Sequence, residues 1–374
     1  MASNESPGTS NYTLMAPRFW HGMQSQVWFP VLAKNSFRVS LSRIHLAVGV
    51  TAFMPISDIF ALTQQTIYGK RISETKLAGP PLFILGHWRS GTTLLHELMG
   101  LDDHYASPTT FQCFAPSHFL VTETMVSKYF NWLIPNRRPM DNMKAGWALP
   151  QEDEFALMNL GAPTPYLRLL FPCHETPFQG TLSSAGFSPQ ELERWKYLFD
   201  WFLKALTLKS QKPLILKSPP HTGRIGILKA MYPEAKFIHI VRDPRKLFPS
   251  TMKLWNSLDQ VQSLQTGEYQ AKLRDFVFSS LTQMYDSFET DRVGLTEKQL
   301  IDVHYEDLAK DPVAVCKRIY SQLELPNYES ILPKIQERSQ KEKEYQTNRF
   351  GLGQEEEAEI VTKWQSYATK YGYA

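Results

Sequence analysis

The amino-acid sequence predicts an α/β protein: a three-layer fold on a central parallel sheet, with a helical extension ahead of it and helical insertions between strands. Three observations carry this. Short, wholly apolar and partly β-branched runs recur along the chain, as buried parallel strands require. Helical patterns with clear start signals lie between them, and strands alternating with helices pair in parallel. A glycine-containing loop follows one run and a basic loop another, at the strand ends where such sheets hold ligands.

The chain has 374 residues, 43% hydrophobic and 13% aromatic, enough for a large core. A net charge of +3 is too weak for general nucleic-acid binding. Cys113, Cys173 and Cys316 are far apart and form no CxxC pair, which argues against a zinc knuckle or a disulfide scaffold and for a reducing compartment. The polar start, MASNESPGTSNYTLMAP, has no cationic segment followed by an apolar core, so a cytoplasmic protein is expected.

Taken in order, residues 1–79 read as a helical N-terminal extension. Its most apolar part is HLAVGVTAFMPISDIFAL, His45 to Leu62. Pro55 and Asp58 are expected to split it into two buried or half-buried helical pieces, each too short to span a bilayer. Basic neighbours Arg38, Arg43, Lys70 and Arg71 leave shallow membrane attachment as the alternative. Residues 80–374 form the main domain. Four strands are predicted within it: Leu82–Leu85, Leu214–Leu216, Phe237–Val241 and Leu300–His304. An insertion at about 102–208 is expected to build a substrate pocket. The clearest helix is SPQELERWKYLFDWFLKAL: Ser188 caps it, Pro189 opens it and Glu191 completes a capping box. Leu192, Trp195, Leu198, Phe199, Phe202 and Leu206 then form one apolar face.

The loop after the first strand is GHWRSGTT, Gly86 to Thr93. It fits the phosphate-loop pattern G-x-x-x-x-G-K-[ST], with Thr92 at the lysine position and Thr93 at the Ser/Thr position. Its glycines let consecutive N–H groups turn inward, and the following helix aims its N-terminus at the same point. A nucleoside triphosphatase needs that lysine, and an aspartate for Mg2+ after a second strand. Here FIHIVRDP puts Arg242 between the strand and Asp243, a site for anions rather than a metal. In IHIVRDPRKLFPS, Arg242 and Ser250 can converge on one phosphate. Two anion sites on neighbouring strand ends suit a nucleotide with separate 5′ and 3′ phosphates.

GHWRSGTTLL with FIHIVRDPRKLFPS resembles the paired phosphate-binding motifs of sulfotransferases that use 3′-phosphoadenosine 5′-phosphosulfate (PAPS). VHYEDLAKDP, Val303 to Pro312, resembles a segment common after a later core strand of that family. The motifs tie about Gly79 to Pro312 to one P-loop-type fold. Arginine before Ser-Gly-Thr-Thr resembles the protein-tyrosine sulfotransferase and bacterial branches, and RPMDNMKAGWALPQEDEFALMNLGAPTPYL resembles a bacterial branch more closely. The resemblance implies in-line sulfuryl transfer from PAPS to a hydroxyl or amine acceptor without a metal. It assigns the 5′-phosphosulfate to Trp88, Arg89, Ser90, Gly91, Thr92 and Thr93, and the 3′-phosphate to Arg242 and Ser250.

Such chemistry needs cations on the leaving oxygen, a held acceptor and a base. Arg89 is the first cation. Lys217, directly after LIL, is the second; the tyrosylprotein branch implies a lysine at a similar strand end. That branch carries its base soon after the first motif, where this chain reads ASPTTFQCFAP, without an acid. The candidates are therefore Glu152 or Glu154 in PQEDEFAL, or His221. First-turn acids also serve as helix-dipole partners, and only some of the three consecutive acids can face a pocket. His87 either donates to the sulfuryl group or fills space. In YQTNRFGLG, Arg349 and Gly351 either close over the 3′-phosphate, as late loops of the family do, or belong to a helix–helix loop. Two rival readings stand beside this one: a P-loop small-molecule kinase, and a non-catalytic nucleotide-binding protein. Trp132, Trp147, Phe155 and Tyr166 in the insertion suit a small-molecule or lipid hydroxyl acceptor, and an ordinary core equally.

Overall fold

The computed structural model describes residues 17–134, 145–342 and 353–374. Its sheet has four parallel strands, Leu82–Leu85 (β1), Ile215–Lys217 (β2), Lys236–Val241 (β3) and Leu300–His304 (β4), in the order β2-β1-β3-β4. Ile84 lies opposite Lys217, Leu85 opposite His239 and Val241 opposite His304. The second strand starts one residue later than the apolar run suggests. Leu214 instead bridges to Ala106, and its carbonyl accepts the Leu82 N–H at 2.9 Å.

Alternation along the strands makes the three layers. Phe83, Leu85, Leu216, Phe237 and Val241 enter one apolar core; Leu82, Ile84, Ile215, Ile238, Ile240, Ile301 and Val303 enter the other. Successive side chains point to opposite faces, so a wholly apolar strand demands helices on both. The helix predicted from Ser188 runs Pro189–Ser210. Its capping box is formed: Glu191 N donates to Ser188 Oγ at 3.3 Å, and Ser188 N to Glu191 Oε2 at 2.8 Å. Trp195, Phe199, Phe202 and Leu206 are buried.

The expected split of the early apolar segment does not occur. One helix runs Ile44–Glu74 straight through Pro55. A mid-helix proline costs about 3 kcal/mol. Burial of Leu46, Val50, Met54, Ala61 and Ile72 along the helix offsets that cost. Asp58 does not break the helix either: its Oδ1 accepts the Ser25 N–H at 3.2 Å, serving the first turn of the helix Ser25–Lys34. By length and composition the segment Leu41–Glu74 could cross a membrane, its most apolar 18-residue stretch having a mean hydropathy of 1.7. Trp20 and Trp28, both fully buried, stack at 5.4 Å, and Trp20 Nε1 donates to Gln262 O at 2.7 Å. The N-terminal helices thereby share the main core.

Candidate active site

The site lies at the carboxyl ends of β1, β2 and β3. The Gly86–Thr93 loop leaves β1 and runs into the helix Thr92–Met99. Two glycines shape it. Gly86 has φ +146°, and a Cβ there would meet the Ile240 carbonyl oxygen at 2.6 Å. Gly91 has φ +105°, and a Cβ there would meet the Tyr305 ring at 2.4 Å. Any side chain at either position forces the loop off β3 or off Tyr305. Ser90 closes the turn, its hydroxyl donating to His87 O at 2.7 Å. Gly91 caps the helix with no side-chain bond, so the first-turn N–H groups of Thr92 and Thr93 open into the loop.

Arg89 adopts φ +70°, a costly conformation for a residue with a Cβ. Its contacts explain the cost. Arg89 Nε donates to Ser250 Oγ at 3.0 Å, and Arg242 NH1 donates to Arg89 O at 3.0 Å. The arginine of the first motif is thus clasped by both residues of the second. Arg242 lies over the Tyr305 ring at 4.1 Å. Tyr367 holds its backbone twice, accepting Arg242 N at 2.9 Å and donating to Arg242 O at 2.8 Å. Asp243 accepts from Arg245 N and Nε, both at 2.9 Å, and caps the helix Pro244–Gln262 that carries Ser250.

On the other side of β1, Lys217 closes β2. Its Nζ lies 2.7 Å from Glu152 Oε1, with only 4% of the lysine side chain exposed. Glu152 Oε2 accepts from Tyr166 OH at 2.5 Å, and that hydroxyl accepts from Trp88 Nε1 at 2.9 Å. A chain of polar contacts therefore runs from the loop to the strand end: Trp88, Tyr166, Glu152, Lys217. Burial pushes the Tyr166 phenol well above its usual range, with Glu152 adding to the shift, so its proton stays on oxygen.

The three consecutive acids have three fates. Glu152 is the helix N-cap residue, with 15% of its side chain exposed. Asp153 is fully buried, 2.5 Å from His221 Nε2 and 3.0 Å from Ser218 Oγ. Burial works to raise its carboxyl; His221 and Ser218 outweigh that and hold it below the usual range. Glu154 is fully buried in a fork with Arg224, at 2.8 and 3.1 Å, and accepts from Thr164 Oγ1. His221 is fully buried as well. His87 lies behind the loop, its Nδ1 3.1 Å from Trp88 O and its Nε2 3.3 Å from Ser280 Oγ; burial lowers its pKa to about 3.

The structure therefore brings together Trp88, Arg89, Glu152, Lys217, Arg242 and Ser250. Glu154 and His221 sit behind Glu152, in pairs of their own. Arg349 and Gly351 lie outside the described residues. Two residues beside the site escaped the sequence reading, Tyr305 and Tyr367; Tyr166 was read only as one of the insertion aromatics that suit an acceptor or a core, without its tie to Glu152. Tyr305 carried a usable signal, since it is the first residue after β4 and parallel strands present ligand-side residues there. Tyr367 carried none.

A phosphate-loop pattern without its lysine, an arginine-bearing second loop and a strand-end lysine paired with an acid thus meet at the carboxyl ends of the parallel strands. Residues 80–330 match the sulfotransferase family, and the chain belongs to it. It is 37% identical over 372 residues, all of this chain and 95% of the relative, to proteins of Mycobacterium bovis and Mycobacterium tuberculosis named omega-hydroxy-beta-dihydromenaquinone-9 sulfotransferase Stf3. Among solved structures it is similar to sulfotransferase STF9 of Mycobacterium avium, with a TM-score of 0.62 at 16% identity over 93% of this chain and 96% of that one. Sulfotransferase STF1 of Mycobacterium tuberculosis gives 0.60 at 15% identity, over 91% of this chain and 90% of that one. Those two likenesses carry the fold.

Proposed function

We propose that this sulfotransferase moves a sulfuryl group from PAPS to the hydroxyl of an apolar, lipid-like acceptor. The observation that carries the donor assignment is the clasp between the two anion motifs, Arg89 on Ser250 and Arg242 on Arg89. The N–H groups of Thr92 and Thr93 and the Arg89 guanidinium suit the 5′-phosphosulfate; Arg242 and Ser250 suit the 3′-phosphate. Lys217 and Arg89 offset the charge growing on the oxygen between sulfur and the 5′-phosphate as that S–O bond breaks. A new S–O bond forms to the acceptor hydroxyl, whose proton passes to Glu152. Of the base candidates, Glu152 alone reaches the lysine; the burial and pairing of Glu154 and His221 support structural roles for both.

A lipid acceptor is supported by the relatives, whose name gives a menaquinone-derived substrate. It is also supported by the aromatic surroundings of Glu152, with Phe155 at 5.0 Å from the Tyr166 ring. The insertion at about 102–208 supplies both, and we place the acceptor pocket there. A cytoplasmic location fits a soluble nucleotide donor. Incubation with sulfur-35-labelled PAPS and pools of isoprenoid alcohols, phenols, sugars and peptides tests the assignment. Label is expected in the isoprenoid pool; label only in sugars or peptides overturns the lipid assignment, and none in any pool overturns the activity.

A further inference from the structure

Seventeen large apolar side chains are exposed among the described residues, and fifteen come from two segments, 29–67 and 125–149. Chance scatter over the surface does not concentrate them so. On the helix Ile44–Glu74 they fall three to five residues apart: Ile44, Val48, Phe53, Ile56, Ile59 and Leu62, with Leu62 68% exposed. They form a face along the helix, opposite the face buried on the domain. The second segment adjoins the first. Gln64 Oε1 accepts the Leu120 N–H at 2.8 Å, and the Phe60 and His118 rings lie 5.8 Å apart. Beyond Leu120 the helix Phe119–Tyr129 presents Met125 and Tyr129, and Trp132 follows at 66% exposure.

Charge frames this surface. From Lys34 to Lys76 there are six basic residues and two acids, Asp58 and Glu74. The basic residues stand at the two ends: Lys34, Arg38 and Arg43 before the apolar face, Lys70, Arg71 and Lys76 after it. Asp58 is engaged by Ser25 N, and Glu74 by Lys70 at 3.8 Å. The helix is also tied down along its length. Leu46, Val50, Met54, Ser57, Ala61, Gln64 and Ile72 are buried against the domain, so it cannot cross a bilayer without dragging the domain in. An apolar face with flanking cations, held parallel to the protein surface, is the pattern of a helix that lies in the interface plane.

We propose that this face seats the enzyme on a membrane containing anionic lipid. Apolar side chains enter the acyl boundary while Arg38, Lys70 and Arg71 meet the headgroups; Arg43 is tied to Gln260 O at 2.7 Å and Lys34 lies over the Phe178 ring at 4.4 Å. The surface leads toward the site. Trp147 Nε1 donates to Phe130 O at 3.1 Å, joining the exposed segment to the strand of chain that carries Leu149 and, three residues later, Glu152. A lipid acceptor would then reach the base from the bilayer; this part rests on the acceptor reading above.

The test is flotation of the full chain with vesicles, without donor or acceptor, so that its failure leaves the transfer reading untouched. Vesicles of phosphatidylcholine alone are compared with vesicles containing 30% phosphatidylglycerol. The wild type is expected to float with the anionic vesicles at least tenfold more than the doubly substituted Ile59→Glu/Leu62→Glu protein. The Lys70→Glu/Arg71→Glu protein should lose most of the preference for anionic lipid. Both sites are exposed, and circular dichroism melting checks that the variants fold. A wild type that stays in the soluble fraction with both vesicle types overturns the proposal. So does a stable dimer in light scattering that Ile59→Glu dissociates, because a second copy would then cover the face.

Discussion

Lys217 Nζ and Glu152 Oε1 lie 2.7 Å apart, although 65 residues separate them in the chain. The lysine is placed by the last residue of a parallel strand, the acid by the residue before a helix. Neither can turn away, because Glu152 is held from its other oxygen by Tyr166 at 2.5 Å. A strand-end cation and the proposed base are thereby kept in one place before any substrate arrives.

Two substitutions separate this pair from its neighbour. Glu152→Gln is expected to lower kcat by about 10²–10⁴-fold, the usual worth of a general base, with a smaller loss of stability than at Glu154, because Glu152 is 15% exposed and glutamine can still accept from Lys217. Glu154→Gln should act oppositely. It breaks the buried fork to Arg224, which costs about 3–5 kcal/mol, and should show first as a lower melting temperature. Steady-state kinetics and thermal melts of both variants check this.

Tyr166→Phe tests the support of the base. The substitution removes the hydroxyl between Trp88 and Glu152 and strands the buried indole N–H, at about 1–3 kcal/mol. As Tyr166 is a positioning residue, kcat should fall with donor KM unchanged, and the acid limb of the pH–rate profile should move. A lower melting temperature with an unaltered profile would mean a packing role only.

Tyr305 joins the two anion loops, packing against Gly91 and lying under Arg242. Tyr305→Ala should weaken adenosine 3′,5′-bisphosphate binding through loss of a half-buried cation–π contact of about 1–2 kcal/mol, or roughly fivefold to thirtyfold. Tyr305→Phe keeps the ring and should restore most of the affinity. Calorimetric titration distinguishes them; equal losses for both variants would exclude the stacking role.

Burial lowers the pKa values of His21 and His87 to about 3 and that of His118 to about 4, from 6.5. Each is neutral in the folded chain and takes up a proton on unfolding. Folded values below the unfolded one mean the contribution is complete above pH 6.5 and is lost as pH falls toward the folded values. Between about pH 7.5 and 5.5 each group costs about 1.4 kcal/mol, so the three predict a loss of about 4 kcal/mol. Urea midpoints at the two pH values check this, and an unchanged midpoint would contradict it.

What the sequence revealed followed physical strength. The strands were legible because β1 and β4 are wholly or largely apolar and bounded by turns, and the Ser188 capping box because its local chemistry is self-contained. The strand-end positions of Lys217 and Arg242 were legible because an apolar run leads directly into each. The Pro55 helix was misread because its cost is local and its compensation is tertiary. The division of labour among Glu152, Asp153 and Glu154 was hidden for a related reason: adjacent acids read alike until Lys217, His221 and Arg224 are placed around them.

The central claim is that two loops hold two separate phosphates of one nucleotide. Calorimetry with adenosine 3′,5′-bisphosphate and adenosine 5′-monophosphate, on the wild type and Arg242→Ala, tests it most directly. A charged hydrogen bond is worth about 1.5–3 kcal/mol, so Arg242→Ala should cost the bisphosphate roughly tenfold to 150-fold and the monophosphate almost nothing. Equal losses for the two nucleotides, or tighter binding of Mg2+-ATP than of the bisphosphate, would contradict the account.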